Sequence, residues 1–196
     1  FNDGSLQAAA ASPYVLKNRI INGDMRIDQR NAGASGTGNL YTVDRWQYYG
    51  SQASKGTWQQ NAGAITPPTG FNYYLGFTSS SSYSVLATDQ FLFAHKIEGY
   101  NASDLDFGTA NAKTVTLSFW VRSSLTGTFG GSLRNSAQDR NYPFSYSIPT
   151  ANTWTQISVT IAGDTTGTWL TTNGIGIEVL FSLGTGTTFS GTAGSW

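Results

Sequence analysis

Cysteine is absent from the 196 residues, and histidine and methionine occur once each. The first absence removes disulfides, thiolate zinc sites and cysteine nucleophiles together. With a single histidine, the soft ligands for a zinc centre are missing as well. Charge is scarce: only 11% of residues carry it, and eleven basic side chains balance eleven acidic ones. A neutral chain lacks the basic stripe that displaces counterions from nucleic acid or that holds an anionic membrane surface. No apolar run approaches the ~20 residues of a membrane span, and no charged start followed by a greasy middle marks a secretory leader. The expectation is a soluble chain that neither binds nucleic acid nor inserts into a membrane. Its stability must come from packing, from assembly or from a hard cation. The sequence opens on Phe1 and not on Met, as a fragment or a processed product would.

What the chain does have is six Trp, ten Tyr and eleven Phe alongside 23 Gly, a mixture that suits many short strands joined by tight turns. The run Thr114 to Ser123 shows the pattern most plainly. Val115, Leu117, Phe119 and Val121 share one face of a strand; Thr116, Ser118, Trp120 and Arg122 share the other. Full burial of the four apolar side chains would contribute on the order of 6–12 kcal/mol before entropy is set against it, which predicts a central strand.

The same period of two recurs along the chain. Tyr14 to Arg30 reads as two short strands around an Asn22-Gly23-Asp24 bend. Tyr41 to Tyr49 places Trp46 and Tyr48 together, with Lys55 to Asn61 as its candidate partner, and Asn72 to Thr78 groups Tyr73, Leu75 and Phe77. Phe91 to Gly99 sets Phe91, Phe93, His95 and Ile97 against Lys96 and Glu98. Further strands are expected at Gly127 to Arg134, Tyr142 to Ile148, Thr153 to Ile161 and Ile175 to Leu183. Prolines 67 and 68 make a stiff turn, because neither can donate to a sheet ladder. No sustained helical period separates these strands, so they must pair antiparallel. The predicted fold is all-β, a two-sheet antiparallel β-sandwich of the jelly-roll kind, with a closed barrel as the other solution. One domain, 14–196, is expected after a leader, 1–13. The leader's run Leu6 to Ala11 has too little apolar area to hold itself as a helix, which predicts that it docks elsewhere.

Several segments in order resemble a family of phage virion proteins, the tail-fibre and related appendage proteins. They are Asn18 to Asn31 (NRIINGDMRIDQRN), Tyr41 to Trp46 (YTVDRW), Lys96 to Tyr100 (KIEGY), Val115 to Ser123 (VTLSFWVRS), Tyr142 to Ile148 with Asn152-Thr153-Trp154, and Ile161 to Trp169 (IAGDTTGTW). The resemblance covers most of the chain from about Tyr14 onward. It implies a carbohydrate-binding-module-like jelly roll in a non-enzymatic, oligomeric part of a virus particle, commonly a trimer, in contact with other virion proteins and able to recognise host surface polysaccharide. It also implies a closing strand beyond Thr188 to Trp196, supplied by further chain or by another subunit.

A sugar site needs flat aromatic faces beside planar polar groups. Trp120 and Arg122 offer these on the outer face of their strand, with Lys96, Glu98 and Glu178 on candidate neighbours. The competing reading packs Trp120 under a loop or against another protomer and pairs Arg122 with Glu98 or Glu178. Trp46, Trp154 and Trp169 read as core or corner residues. Serine-rich tips such as Ser79 to Ser84 are an alternative contact surface or plain turns. Glycoside cleavage requires a matched pair of carboxylates, and no spacing singles out two among Asp44, Glu98, Asp104, Asp106, Asp139 and Glu178. His95 shares its face with Phe and Ile, the setting of a core histidine and not of a base. No catalytic residue is assigned. No cofactor is expected, the one metal the sequence allows being a structural calcium at Asp104 and Asp106, which flank Leu105 in a loop. Glycines 127, 130 and 131 lack the Lys-Ser/Thr of a phosphate loop. The function read from the sequence is a glycan-binding tail-fibre module. A head-decoration or fibre-anchoring subunit is the alternative, and a polysaccharide-degrading enzyme is a distant one.

Overall fold

The computed structural model describes residues 17–196, and the expected leader at 1–13 and the start of the first expected strand lie outside them. Among the described residues nine strands form: β1 (Trp46–Gly50), β2 (Gly56–Gln60), β3 (Leu75–Ser79), β4 (Gln90–Glu98), β5 (Val115–Val121), β6 (Gly127–Arg134), β7 (Asn141–Ile148), β8 (Thr155–Ile161) and β9 (Ile175–Thr185). An α-helical turn, α1 (Gly99–Ala102), follows β4 directly. All pairing is antiparallel, as expected for strands joined without crossover helices. A five-stranded sheet in the order β1-β4-β9-β6-β7 forms one layer, and two ribbons, β2-β3 and β5-β8, pack on one of its faces.

The two ribbons cover different halves of that sheet. Under β2-β3, Trp58 is buried with Val43, Trp46, Tyr48, Phe91 and Phe93, and Phe77 stacks on Tyr48 at 5.3 Å. Under β5-β8, Leu117, Phe119, Ile157 and Val159 pack on Phe144, Tyr146, Ile148, Ile177 and Val179. Phe181 on β9 belongs to both halves: its ring lies 4.9 Å from Phe119, 5.9 Å from Trp46 and 6.2 Å from Phe144. Space for these rings is made by Gly131, opposite Phe181 in the ladder, where a Cβ would come within 2.5 Å of the Phe144 ring.

Three expectations change here. The strand Val115–Val121 is not central. It lies in a two-stranded ribbon, and its four inward side chains are only partly buried, so its hydrophobic contribution falls short of the full-burial figure. The centre belongs to β4, β9 and β6, which have neighbours on both edges. The segment at 56–60 pairs with β3 and not with the strand before it. The stretch from Asn18 to Asn31 forms no strands among its described residues.

That stretch is instead an arm fixed by side chains. Asn22 Nδ2 donates to the carbonyls of Ile27 and Asp44, and its Oδ1 accepts from Ile27 N. Trp46 Nε1 donates to Asn22 O, Gln60 Nε2 to Met25 O, and Gln29 N to Asp44 Oδ2. His95, fully buried, holds Ile21 O at 3.0 Å through Nε2. A carbonyl accepts only, so Nε2 carries the proton, and the unprotonated Nδ1 has no partner. These contacts satisfy several of the arm's backbone polar groups without a ladder.

Buried acids fix the other corners. Asp89 accepts from Ser51 Oγ, Gln52 Nε2, Tyr83 OH and Leu86 N, and these donors hold its carboxyl well below the usual range. Asp164, at the heart of the IAGDTTGTW segment, takes a two-pronged contact from Arg140 at 2.7 and 2.8 Å and a hydrogen bond from Trp169 Nε1.

Phe181→Ala is expected to cost about 3 kcal/mol, the low end for a core phenylalanine because the ring is only partly buried. Urea unfolding measures it, and a cost below about 1 kcal/mol contradicts a shared core. A second expectation concerns pH. Burial lowers the pKa of His95 below its ordinary 6.5, against the upward pull of the Ile21 carbonyl. The unfolded chain therefore takes up a proton first, and stability is complete above pH 6.5 and falls as pH drops below it, by at most about 1.4 kcal/mol per unit. In His95→Leu the part of that slope which His95 adds just below pH 6.5 disappears, which urea midpoints measured on either side of that pH will show.

Candidate functional site: a groove on the outer face of the large sheet

Strand alternation sends every second residue of the five-stranded sheet away from the aromatic core. On β4 these are Leu92, Ala94 and Lys96, and on β9 they are Glu178, Leu180 and Ser182. The ladders set Ala94, Leu180 and Ser132 side by side across three strands, and set Lys96, Glu178 and Arg134 in the row beside them. Leu92, Ala94 and Leu180 form a small apolar cluster of their own, separate from the sandwich core.

Leu92 and Ala94 of this cluster are the floor of a groove, with Leu180 packed beside them. A cavity of about 310 Å³ lies over it, walled by Gln47, Tyr49 and Gln90 on one side and by Arg134 and Gln138 on the other. A second cavity of about 230 Å³ adjoins it, walled by Tyr41, Arg45, Glu98, Asn173 and Ile175. Lys96 lines both.

The charges in the groove are placed by short contacts. Arg134 Nε donates to Glu178 Oε2 at 2.5 Å, and Arg134 Nη1 donates to Gln138 Oε1. Lys96 Nζ donates to Gln47 Oε1 at 3.2 Å and lies 3.9 Å from the other Glu178 oxygen. Arg45 donates through Nη2 to Glu98 Oε1 at 2.5 Å and to the Lys96 carbonyl at 3.0 Å. Burial works against ionisation of Glu98, but the Arg45 guanidinium outweighs it and leaves the carboxyl below its ordinary range. That is the opposite of the raised pKa a general acid needs.

Arg45 reaches this position through a left-handed backbone. Its φ is +75°, at the third residue of a turn closed by Trp46 N to Val43 O at 3.0 Å. A side chain there costs about 1–2 kcal/mol relative to glycine. The strain is held where the guanidinium meets Glu98.

The residues expected from the sequence therefore divide. Lys96, Glu98 and Glu178 line the groove. Trp120 and Arg122 stand on the outer face of the β5-β8 ribbon, on the far side of the sandwich, and the single platform expected from all five does not form. Trp120 is 38% exposed, and Arg122 Nε donates to Asn152 O, so Arg122 pairs with neither Glu98 nor Glu178. Trp46 and Trp169 are core residues, and Trp154 is a corner one, its Nε1 donating to Thr66 O. Asp104 accepts two hydrogen bonds from Arg19, which hold its carboxyl at about 2, and Asp106 lies 3.1 Å from Lys113. Among the described residues no group of three or more His, Asp or Glu converges as a metal site would require.

Sequence reasoning missed Tyr49, Gln47, Gln90, Arg134, Gln138 and the apolar floor. One signal was there to be read: β4 carries Leu92 and Ala94 between its inward aromatics, so both faces of that strand are apolar at mid-length.

The molecule is thus an antiparallel two-layer β-protein with an open groove on its larger sheet. No known family and no curated protein matches the sequence. Among solved structures, the chain is similar to the enzymatically active domain of tailspike protein 4 of bacteriophage CBA120, at 12% identity and a TM-score of 0.49, over 84% of this chain and 19% of that one. It is also similar to the family 11 carbohydrate-binding module of a cellulosomal cellulase of Clostridium thermocellum, at 14% identity and a TM-score of 0.35, over 74% of this chain and 91% of that one. This chain spans about a fifth of the tailspike chain's length.

The turn at Arg45 makes a specific forecast. Alanine keeps the backbone penalty and glycine relieves it, so Arg45→Gly will be more stable than Arg45→Ala by about 1 kcal/mol, the reverse of the usual order. Thermal unfolding of the two variants measures the difference, and equal stabilities would mean that the turn is unstrained.

Proposed function

We propose that this chain is a non-enzymatic binding module of a phage particle, a jelly-roll sandwich whose outer-face groove holds a host surface glycan. The observation that carries this reading is the build of the groove. Its floor of Leu92 and Ala94 suits the C–H face of a sugar ring, and Tyr49 and Tyr41 supply aromatic walls. Gln47, Gln90, Gln138 and Asn173 supply the planar amides that a ring's hydroxyls require. The virion location, the contact with other virion proteins and the trimeric state rest on the ordered motifs that resemble tail-fibre and appendage proteins. Action by binding and not by hydrolysis is supported by the two groove carboxylates, each held by an arginine at 2.5 Å.

A second reading assigns the opposite face to assembly, as in a head-decoration or fibre-anchoring subunit. It is favoured by Trp120, exposed on a two-stranded ribbon among Ser118, Gln156 and Ser158. The two readings use different faces and are separable by substitution. Tyr49→Ala is expected to weaken binding to a host polysaccharide by about tenfold on a glycan array, and Trp120→Ala to leave that binding unchanged while shifting the oligomeric state seen by light scattering. Loss of glycan binding in Trp120→Ala with none in Tyr49→Ala places the sugar on the wrong face and refutes the groove reading.

A further inference from the structure

The charges in the groove do not balance, although those of the chain do. Arg45, Lys96 and Arg134 line it against Glu98 and Glu178, three cations to two carboxylates, whereas the whole sequence holds eleven of each sign. Both carboxylates are taken. Glu98 is held by Arg45 at 2.5 Å, and Glu178 by Arg134 at 2.5 Å. Lys96 is left with the longer of the two approaches to Glu178, 3.9 Å, and among the described residues the one hydrogen-bond acceptor its Nζ meets is the neutral Gln47 Oε1. An ammonium group has three N–H donors, so Lys96 has donors to spare. It stands where the two cavities join, beside the apolar floor, and it is part-buried, where its charge is screened less than at an open surface. A further cation sits at the rim, Arg30, whose guanidinium lies 5.0 Å over the Tyr41 ring that walls the smaller cavity.

We propose that the ligand of this groove is an acidic saccharide, and that a single anionic group on it, a carboxylate or a sulfate ester, seats on Lys96 at the junction of the two cavities. This inference rests on the glycan reading of the groove and adds its substrate class. The neutral rings on either side of the acidic residue occupy the two cavities, over Leu92 and Ala94 in the larger and against Tyr41 in the smaller. Lys96 thereby sets both the register of the glycan and its charge preference. Arg45 and Arg134 do not supply that preference, because each is already neutralised.

The test is calorimetric titration of the full chain with matched sets of oligosaccharides. Each set holds a carboxylate-bearing chain, its carboxyl-reduced neutral counterpart and a sulfate-ester version of the same backbone. One anionic member is expected to bind at least about tenfold more tightly than its neutral counterpart at about 50 mM salt, with the difference shrinking at about 300 mM. Preference for the carboxylate or for the sulfate upholds the inference and names the source of the charge. In Lys96→Met the preference disappears, and in Lys96→Arg it remains. A neutral member bound as tightly as its acidic counterpart by the wild-type chain, with both weakened by Tyr49→Ala, overturns the charge assignment and leaves the groove standing. A preference that survives Lys96→Met overturns it too. Sets in which no member binds, or in which Tyr49→Ala changes nothing, overturn the groove reading and this inference together.

Discussion

The structure depends on the Phe181 ring, which lies at the seam between two ribbons that each cover only half of the large sheet. Neither ribbon is wide enough to bury the sheet alone, since a two-stranded ribbon is marginal until a third element covers its apolar face. Phe181 meets Trp46 from one half and Phe119 and Phe144 from the other, and so makes one continuous core out of two. The same strand, β9, then presents Glu178 and Leu180 to the outside. The inner aromatic layer thus fixes β4 and β9 as a rigid pair, and the groove is the other side of that pair. A site on strands is held more closely than one on loops, which suits recognition of a ligand by ring faces and hydroxyls.

Much of the architecture was legible in the sequence because it depends on a period of two. Phe91, Phe93, His95 and Ile97 do share a buried face, as do Tyr142, Phe144, Tyr146 and Ile148, and these alternations are local properties of extended chain. What was not legible depends on pairing at long range. Nothing in TVTLSFWVRS says that its strand will lie in a ribbon of two and not in a sheet of five. Nothing in the arm from Asn18 to Asn31 says that Asn22, Trp46, Gln60 and His95 will satisfy its backbone in place of a neighbouring strand.

The candidate site was legible in part for the same reason. Lys96, Glu98 and Glu178 could be singled out because charge on an otherwise apolar strand is conspicuous. Trp120 and Arg122 were grouped with them only because strand order was unknown, and the observed order puts the thickness of the sandwich between the two sets. Tyr49 and the glutamines drew no notice because single polar residues on an outer face are ordinary. They acquire meaning when the ladders bring them around Leu92 and Ala94. The left-handed Arg45 is invisible to pattern reading altogether, since its side chain is bought a place in the groove by backbone strain.

The claim that the outer face of the β4-β9 pair is where this protein meets its ligand is tested most directly by mapping amide chemical shifts by NMR while a receptor oligosaccharide is titrated in. The account predicts movement at Gln47, Tyr49, Ala94, Lys96, Glu178 and Leu180, with Thr116 to Arg122 unmoved. Shifts concentrated on Trp120 and its ribbon, with the β4 and β9 amides silent, would contradict it.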